Sequence, residues 1–300
     1  MADQDQSAMT LYGGSAITDA KNHHHSFSVK IGIAQMLRGG AIVEVSSVDQ
    51  AKIAESAGAC AVVVVPSGPG AAAIRRMPDP GLVKEVKRAV SVPVMGRARV
   101  GHFVEAQILE SLAVDYIDES EILAIADEDN FINKHNFRSP FICGCRNLGE
   151  ALRRIREGAA MIRVQGEVTP AGNISETVRN VRTLMGDVRM LNNMDEDEVF
   201  TFAKNISAPY DLVVQTKQMG RLPVVQFASG GITIPADAAM MMQLGCDGIF
   251  VGSEIFDGPD PFKKLRSIVQ AVRHYNDPHV LVEMSSGLDT AMGELSIRDD

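Results

Sequence analysis

The chain has 300 residues, of which 45% are hydrophobic, and this is enough for one large core of the size of a single α/β barrel. Its 38 acidic residues outnumber the 29 basic ones, and the formal charge of -9 argues against a nucleic-acid-binding protein. No apolar run approaches the length of a membrane span, so we expect no membrane association. Four cysteines within apolar segments favour reduced thiols and a cytoplasmic location.

Residues 1–27 are mostly small and polar, which predicts a flexible N-terminal tail. We expect the folded domain to span residues 28–277 and a second flexible tail to cover residues 278–300. Within the domain, eight apolar runs alternate with amphipathic segments, and the stretch from Asn173 to Gly220 is long enough for two or three helices. This alternation favours a single (β/α)8 TIM barrel of the α/β class. The predicted strands are Ala41–Val45, Ala61–Val65, Val92–Met95, Val114–Ile117, Pro140–Cys143, Ala160–Val164, Val224–Ala228 and Gly248–Val251.

Two predicted strands lead into residues that decide what chemistry is available. Arg97 follows the third strand and Gln165 follows the sixth, at the strand ends where a barrel places its reactive groups. A site for sugar-phosphate carbonyls needs a primary amine there, because only an amine condenses to an imine. A guanidinium stays protonated and delocalised, and a carboxamide carries no amine. The sequence therefore raises the question of whether this scaffold catalyses any reaction.

Glycines follow the seventh and eighth strands. Gly230 and Gly231 come after one strand, and Gly252 and Ser253 come after the other. In barrels these two loops often bind a phosphate through backbone N–H groups. Glycine is equally used at such turns for backbone geometry alone, so both interpretations stay open. No metal centre is predicted, because Cys143 and Cys145 lack the second cysteine pair of a structural zinc site.

Six stretches of the sequence form a recognisable set: Arg99–Glu110, Asp115–Ser120, Asn133–Phe137, Cys143–Arg146, Glu150–Arg163 and Gln226–Gly231. They strongly resemble the synthase subunit of the glutamine-dependent pyridoxal 5′-phosphate (vitamin B6) synthase. The resemblance covers about residues 28–287 and is greatest to the non-catalytic form found in plants. It implies a (β/α)8 barrel that forms hexameric rings stacked as a dodecamer. Active members of the family join ribose 5-phosphate, glyceraldehyde 3-phosphate and ammonia, which a glutaminase subunit delivers.

The chain departs from this family where the resemblance would place catalysis. Arg97 occupies the position of the first imine-forming lysine, and Gln165 occupies that of the second. Glu44 replaces the family's ribose-binding aspartate with a side chain one methylene longer. In the phosphate loop, Pro170 removes a backbone donor, and Glu254 places a carboxylate beside the phosphate position. The family's phosphate-site positions that remain are Arg182, Gly230, Gly231, Gly252 and Ser253.

These departures predict a pseudoenzyme without a cofactor or metal. It would support vitamin B6 biosynthesis by co-assembling with catalytic paralogues in mixed hexameric or dodecameric rings, and the glutaminase is a further candidate partner. The alternative is an active or divergent synthase that uses another amine, for which Lys217 is the candidate. A non-catalytic sensor of phosphorylated metabolites is a third hypothesis. We expect Asp118 and Glu119 to order loops through hydrogen bonds, and His102 and His135 to have structural roles.

Overall fold

The computed structural model describes residues 20–66, 76–121, 130–166 and 173–288, with side chains from Phe27 onward. Eight parallel strands close into a barrel in the order of the chain, and the last strand pairs with the first. The predicted (β/α)8 barrel is confirmed. The strands are β1 (Gly40–Val45), β2 (Ala61–Val64), β3 (Val94–Arg99), β4 (Tyr116–Glu121), β5 (Phe141–Cys145), β6 (Ala159–Gln165), β7 (Val225–Ser229) and β8 (Gly248–Val251).

The helices surround this barrel. Three of them, α6 to α8, fill the stretch between Asn173 and Gly220, as predicted. No helix of the described ranges is both long enough and apolar enough to cross a membrane. The helices are α1 (Ala20–Gln35), α2 (Val48–Ala57), α3 (Pro80–Ala89), α4 (Phe103–Ser111), α5 (Leu148–Arg156), α6 (Ile174–Leu191), α7 (Glu196–Asn205), α8 (Tyr210–Met219), α9 (Pro235–Gln243), α10 (Pro261–Arg273) and α11 (Pro278–Ser285).

Strands β3 and β4 are longer than predicted, and this changes where the site residues lie. The prediction ended β3 at Met95 and β4 at Ile117, because polar residues follow. In the structure both strands continue, and Arg97 pairs with Asp118 in the β3–β4 register. The two charges can be buried there because Arg97 and Asp118 form an ion pair. Arg97 and Gln165 therefore lie within strands rather than in the loops that follow them.

Two apolar layers lie on the two faces of the barrel wall. The outer layer joins the strands to the helices and contains Leu109, Leu152 and Ile268. The inner layer fills the barrel itself, because alternate residues of each strand point inward. Its large side chains are Met95, Tyr116, Met161, Phe227 and Phe250.

Two helices, α1 and α11, lie partly or wholly within the segments predicted as tails. Helix α1 begins at Ala20, within the predicted N-terminal tail, and its Ala34 packs into the inner layer together with Leu37 just beyond it. The Tyr116 hydroxyl donates a hydrogen bond to the Ile33 carbonyl. Helix α1 thus covers the barrel end opposite the C-terminal strand ends. Helix α11 lies within the predicted C-terminal tail, where Asp277 caps its N-terminus.

Candidate functional site at the barrel mouth

Four charged side chains meet inside the barrel near the C-terminal strand ends. Glu44 comes from β1, Arg97 from β3, Asp118 from β4 and Arg163 from β6. Each is inward-facing by the two-residue alternation of its strand, and all four are buried, with Asp118 fully so. We call these four residues the mouth quartet.

The mouth quartet is a closed network of ion pairs. Arg97 Nη2 lies 2.5 Å from Glu44 Oε1 and 3.2 Å from Asp118 Oδ2. Arg163 Nη2 lies 2.5 Å from the same Glu44 oxygen, and its Nη1 lies 3.1 Å from Asp118 Oδ2. Each guanidinium bridges both carboxylates, so the formal charges of the quartet sum to zero. The arginines are occupied by the protein's own carboxylates.

The neighbouring guanidiniums keep the Glu44 carboxylate ionised. Burial on its own raises the pKa of Glu44, but the adjacent Arg97 and Arg163 guanidiniums outweigh it and lower that pKa to about 2. The Arg163 guanidinium also lies over the Phe250 ring, 4.4 Å from its centroid. Asp118 Oδ1 and Arg163 Nε are buried and have no hydrogen-bond partner among the described residues. The quartet therefore carries one spare acceptor and one spare donor within an otherwise satisfied network.

Gln165 is held at the end of β6 by its own contacts. Its side-chain Nε2 donates a 2.8 Å hydrogen bond to the Ser120 carbonyl of β4, and its backbone carbonyl accepts from Asn180 Nδ2 of α6 at 2.9 Å. A side chain on Gly144 would clash, since a Cβ there would lie 2.8 Å from the Gln165 amide nitrogen. The side-chain amide is thus held by β4 across the barrel mouth, whereas α6 holds the backbone of the same residue. Neither this amide nor the Arg97 guanidinium can form an imine with a sugar aldehyde.

The buried lysines of the described residues lie away from the mouth. Among the described residues, Lys30 and Lys134 are the only buried lysines. Lys30 Nζ donates to the backbone carbonyls of Lys134 and Phe137, on the loop that precedes β5. Lys134 Nζ lies 2.8 Å from Glu119 and 2.9 Å from Glu157, outside the barrel wall. Both amines serve buried polar networks.

Lys217, the candidate replacement amine, lies on α8 in the outer helix layer. Its Nζ donates to the Met194 carbonyl. Helix α8 packs against α5, α6 and α7, so the structure does not bring this lysine to the mouth quartet.

The glycine loop after β7 is packed tightly against α6. Gly230 and Gly231 have φ angles of 100° and 73°, which favour glycine. A Cβ on Gly231 would lie 2.4 Å from the Ile174 backbone nitrogen. The Thr177 hydroxyl lies 2.8 Å from the Ser229 carbonyl and 3.0 Å from the Gly230 carbonyl, and donates to them. Both glycines therefore have a packing role in this loop.

The loop after β8 holds its own carboxyl group. The Glu254 side chain folds back over Gly252, where a Cβ would lie 2.1 Å and 2.4 Å from the two carboxyl oxygens. Burial, with a smaller contribution from Glu44, raises the pKa of Glu254 to about 7. Ser253 begins the short 3-10 helix that carries this glutamate. The predicted carboxylate at the phosphate position is thus seated beside Gly252.

The structure does not bring the other residues predicted for the phosphate site to the glycine loop. Arg182 is exposed on α6, and the α6 residue that contacts the glycine loop is Thr177, which the sequence prediction missed. Pro170 lies outside the described residues. The prediction also missed Arg163, although a charged residue inside an apolar strand indicates a buried ion pair. In the described ranges, no group of three or more His, Cys, Asp or Glu side chains is placed to hold a metal ion.

Of the residues expected to have structural roles, Asp118 is the exception, because it lies in the mouth quartet. Glu119 orders loops as predicted, accepting from the backbone N–H groups of Gly101 at 3.0 Å and Ile132 at 3.3 Å. Asp118 belongs to the mouth quartet instead, because it points to the other side of β4. His102 caps α4 through Nδ1, which accepts from the Glu105 backbone nitrogen. His135 Nε2 lies 3.1 Å from the Arg156 carbonyl.

Comparison with known proteins places the chain among named relatives. It is 79% identical over 300 residues to the "pyridoxal 5′-phosphate synthase-like subunit PDX1.2" of Arabidopsis thaliana, covering 100% of this chain and 95% of that protein. It is 62% identical over 296 residues to the "pyridoxal 5′-phosphate synthase subunit PDX1.3" of the same plant, covering 97% and 95%. The SOR/SNZ family matches residues 26–229. The chain therefore belongs to the SOR/SNZ family.

Proposed function

We propose that this protein is a non-catalytic subunit that supports pyridoxal 5′-phosphate (vitamin B6) biosynthesis. It co-assembles with catalytic paralogues in mixed hexameric or dodecameric rings and stabilises or regulates them. The observation that carries the proposal is the pair Arg97 and Gln165, held by buried contacts at the two strand ends where the family is expected to place imine-forming lysines. The relative at 79% identity is itself named "synthase-like", which supports this assignment.

Exposed apolar side chains support co-assembly. Helix α4 exposes Phe103, Val104 and Ile108 on the barrel exterior. A second patch lies on α7 and α8, where the exposed Phe200 and Tyr210 rings make an edge contact with centroids 5.7 Å apart. A ring built head to tail needs two different patches on each subunit. The two patches, on different helices, meet that requirement.

The first test is co-expression with an affinity-tagged catalytic subunit of the family, followed by native mass measurement. We expect one particle that contains both chains and has the mass of six or twelve subunits. A Phe103→Glu variant should reduce the share of this chain in the particle, because it buries a charge in the proposed contact. Val282→Glu is the matched control, since Val282 is exposed on α11 outside both patches. Separate homomeric particles would refute co-assembly.

The second test addresses catalysis directly. The protein is incubated with ribose 5-phosphate and borohydride, and its intact mass is measured beside a catalytic subunit treated in the same way. We expect an unchanged mass here and a reduced pentose phosphate adduct on the catalytic subunit, because only a primary amine forms a reducible imine. An adduct on this chain would favour the alternative, an active or divergent synthase, and peptide mapping would identify the lysine.

A stripe on α1 supports the glutaminase as a further partner. Val29, Ile33 and Met36 are exposed at spacings of four and three residues, on the side of the helix away from Lys30 and Ala34, which are buried. An apolar stripe of this kind is suited to docking another chain.

The free cysteines Cys60, Cys143, Cys145 and Cys246 support a location in the cytoplasm.

A further inference from the structure

All three nitrogens of the Arg97 guanidinium contact a carboxylate of the mouth quartet. Its Nη1 lies 3.4 Å from Glu44 Oε2 and its Nη2 lies 2.5 Å from Glu44 Oε1, so the group spans both oxygens of that carboxylate. Its Nε and its Nη2 each lie 3.2 Å from Asp118 Oδ2. A guanidinium can make this set of contacts because its N–H donors form a rigid planar fork, which the single nitrogen of a lysine lacks.

The carboxylates that Arg97 occupies are the acceptors that a sugar in the mouth would need. Ligands of a (β/α)8 barrel bind at the C-terminal ends of its strands, and the hydroxyl groups of a sugar donate hydrogen bonds to carboxylates. Both oxygens of Glu44 already accept from guanidinium nitrogens. Asp118 Oδ2 accepts from Arg97 and Arg163, and the other oxygen, Asp118 Oδ1, is buried. A sugar can therefore bind these carboxylates only by displacing a guanidinium.

This displacement is unfavourable. Hydrogen bonds that involve an ionised group are roughly twice as strong as those between neutral groups, so neutral hydroxyl groups are poor substitutes for a guanidinium. A displaced Arg97 would also leave Glu44 and Asp118, both more than nine-tenths buried, short of a positive charge. The pKa of Glu44, lowered to about 2 by the two guanidiniums, has the same cause. Because the formal charges of the quartet cancel, it also exerts no net attraction on a phosphate group.

We infer that Arg97 is an internal ligand of the mouth, which excludes sugar phosphates by occupying the carboxylates that would bind their hydroxyl groups. The inference goes beyond the proposed function, since a subunit without imine chemistry could still bind a substrate and withdraw it from its neighbours. An occupied mouth leaves the substrate to the catalytic subunits of a mixed ring. The apparent affinity of a ligand falls with the fraction of molecules that are open to it, and an open state populated at about 10% or less lowers it about tenfold or more.

Calorimetry with ribose 5-phosphate on the full chain tests the inference. The informative variant combines Arg97→Ala with Glu44→Gln, because it removes the internal ligand, keeps the formal charge of the quartet at zero and retains an amide that bonds hydroxyl groups. We expect this double variant to bind ribose 5-phosphate at least about tenfold more tightly than wild type. Inorganic phosphate, which carries no sugar hydroxyl group, should bind both proteins alike. Arg156→Ala is the matched control, since Arg156 is 59% exposed on α5, and it should bind like wild type.

A wild type that binds ribose 5-phosphate as tightly as the folded double variant overturns the inference, and so does a gain in affinity that inorganic phosphate shows equally. Thermal unfolding checks that each variant is folded. If the double variant is not, Arg97→Gln with Glu44→Gln, whose side chains are shorter than arginine and neutral, replaces it with the same expectation. Tight binding by wild type without a borohydride adduct would overturn the inference alone, whereas an adduct would overturn the proposed function, so the two failures are distinguishable.

Discussion

Two buried ionic clusters lie on opposite faces of the same barrel wall. The mouth quartet lies inside, whereas the cluster of Lys134, Glu119, Glu157 and Arg154, which we call the outer cluster, lies between the wall and α5. Asp118 and Glu119 are consecutive residues of β4, yet each belongs to a different cluster, because successive strand residues point to opposite faces.

The outer cluster has a primary amine but no access to the mouth, whereas the two predicted imine positions at the mouth have no amine. The outer cluster contains a primary amine, but Lys134 is fully buried, and both its neighbours and the wall keep it from the mouth. Burial on its own lowers the pKa of Lys134, but the nearby Cys143, Glu119 and Glu157 raise it above its ordinary value, so the amine stays charged. The mouth, where the family resemblance predicts imine-forming lysines, carries Arg97 and Gln165. Because the Lys134 amine lies outside the barrel wall, its role is structural.

The largest effect is expected in the outer cluster. Lys134→Met leaves Glu119 fully buried without its cation, and this should lower the free energy of unfolding by about 3–5 kcal/mol. Urea denaturation measures the loss. Lys52→Met, at an exposed position of α2, is the matched control and should change stability by less than about 0.5 kcal/mol. Equal effects of the two variants would mean that the outer cluster contributes no stability.

The mouth quartet should be the next most sensitive. Asp118→Asn keeps the shape of the side chain but leaves two arginines with one carboxylate, which should cost roughly 2–4 kcal/mol. The exposed Asp49→Asn serves as the control for loss of a carboxylate. An Asp118→Asn protein as stable as wild type in urea would show that the quartet is not a closed charge network.

A smaller, pH-dependent effect is expected from Glu254. Its pKa is about 7 in the folded protein against an ordinary value of 4.5, so the unfolded chain loses this proton at lower pH than the folded one. The stability associated with the neutral group is present below pH 4.5 and is lost as the pH rises through 7. Between pH 5 and pH 8 we expect wild type to lose about 1–2 kcal/mol more than Glu254→Gln. Parallel curves of stability against pH for the two proteins would contradict this. Burial also raises the pKa of Asp237 to about 6, but Asp237 is present in both proteins and contributes equally to both curves.

The smallest loss of stability is expected at a surface ion pair, which serves as a reference for the three larger effects. Arg146 and Glu150 form an ion pair on the outside, with the Arg146 side chain 52% exposed and the Glu150 side chain 19% exposed. Arg146→Gln should cost only about 0.3–0.5 kcal/mol, because water solvates the exposed Arg146 guanidinium and weakens its attraction to Glu150. The same urea series measures it, and added salt should reduce the difference further. A loss comparable to that of Asp118→Asn would remove the distinction between buried and exposed pairs.

Much of the architecture was readable from local patterns. Eight valine- and isoleucine-rich runs predicted the eight strands, and the long interval after Asn173 predicted extra helices. The substitutions at Arg97 and Gln165 were likewise readable, because each stands at the end of a recognisable strand. The pattern failed where charge enters a strand. The sequence prediction ended β3 and β4 before their charged residues and passed over Arg163, since periodicity does not reveal that a buried charge has a partner.

The sequence by itself determined the class of fold, the family resemblance and the identity of the side chains at the strand ends. Only the tertiary structure decided which of them meet. Glu44 and Arg163 lie 119 residues apart, and closure of the barrel brings them into contact. The fold also decides which side of β4 faces the interior of the barrel, and this places Asp118 inside and Glu119 outside. A charged residue acquires its role from the partners that distant strands bring to it, and local sequence does not contain that information.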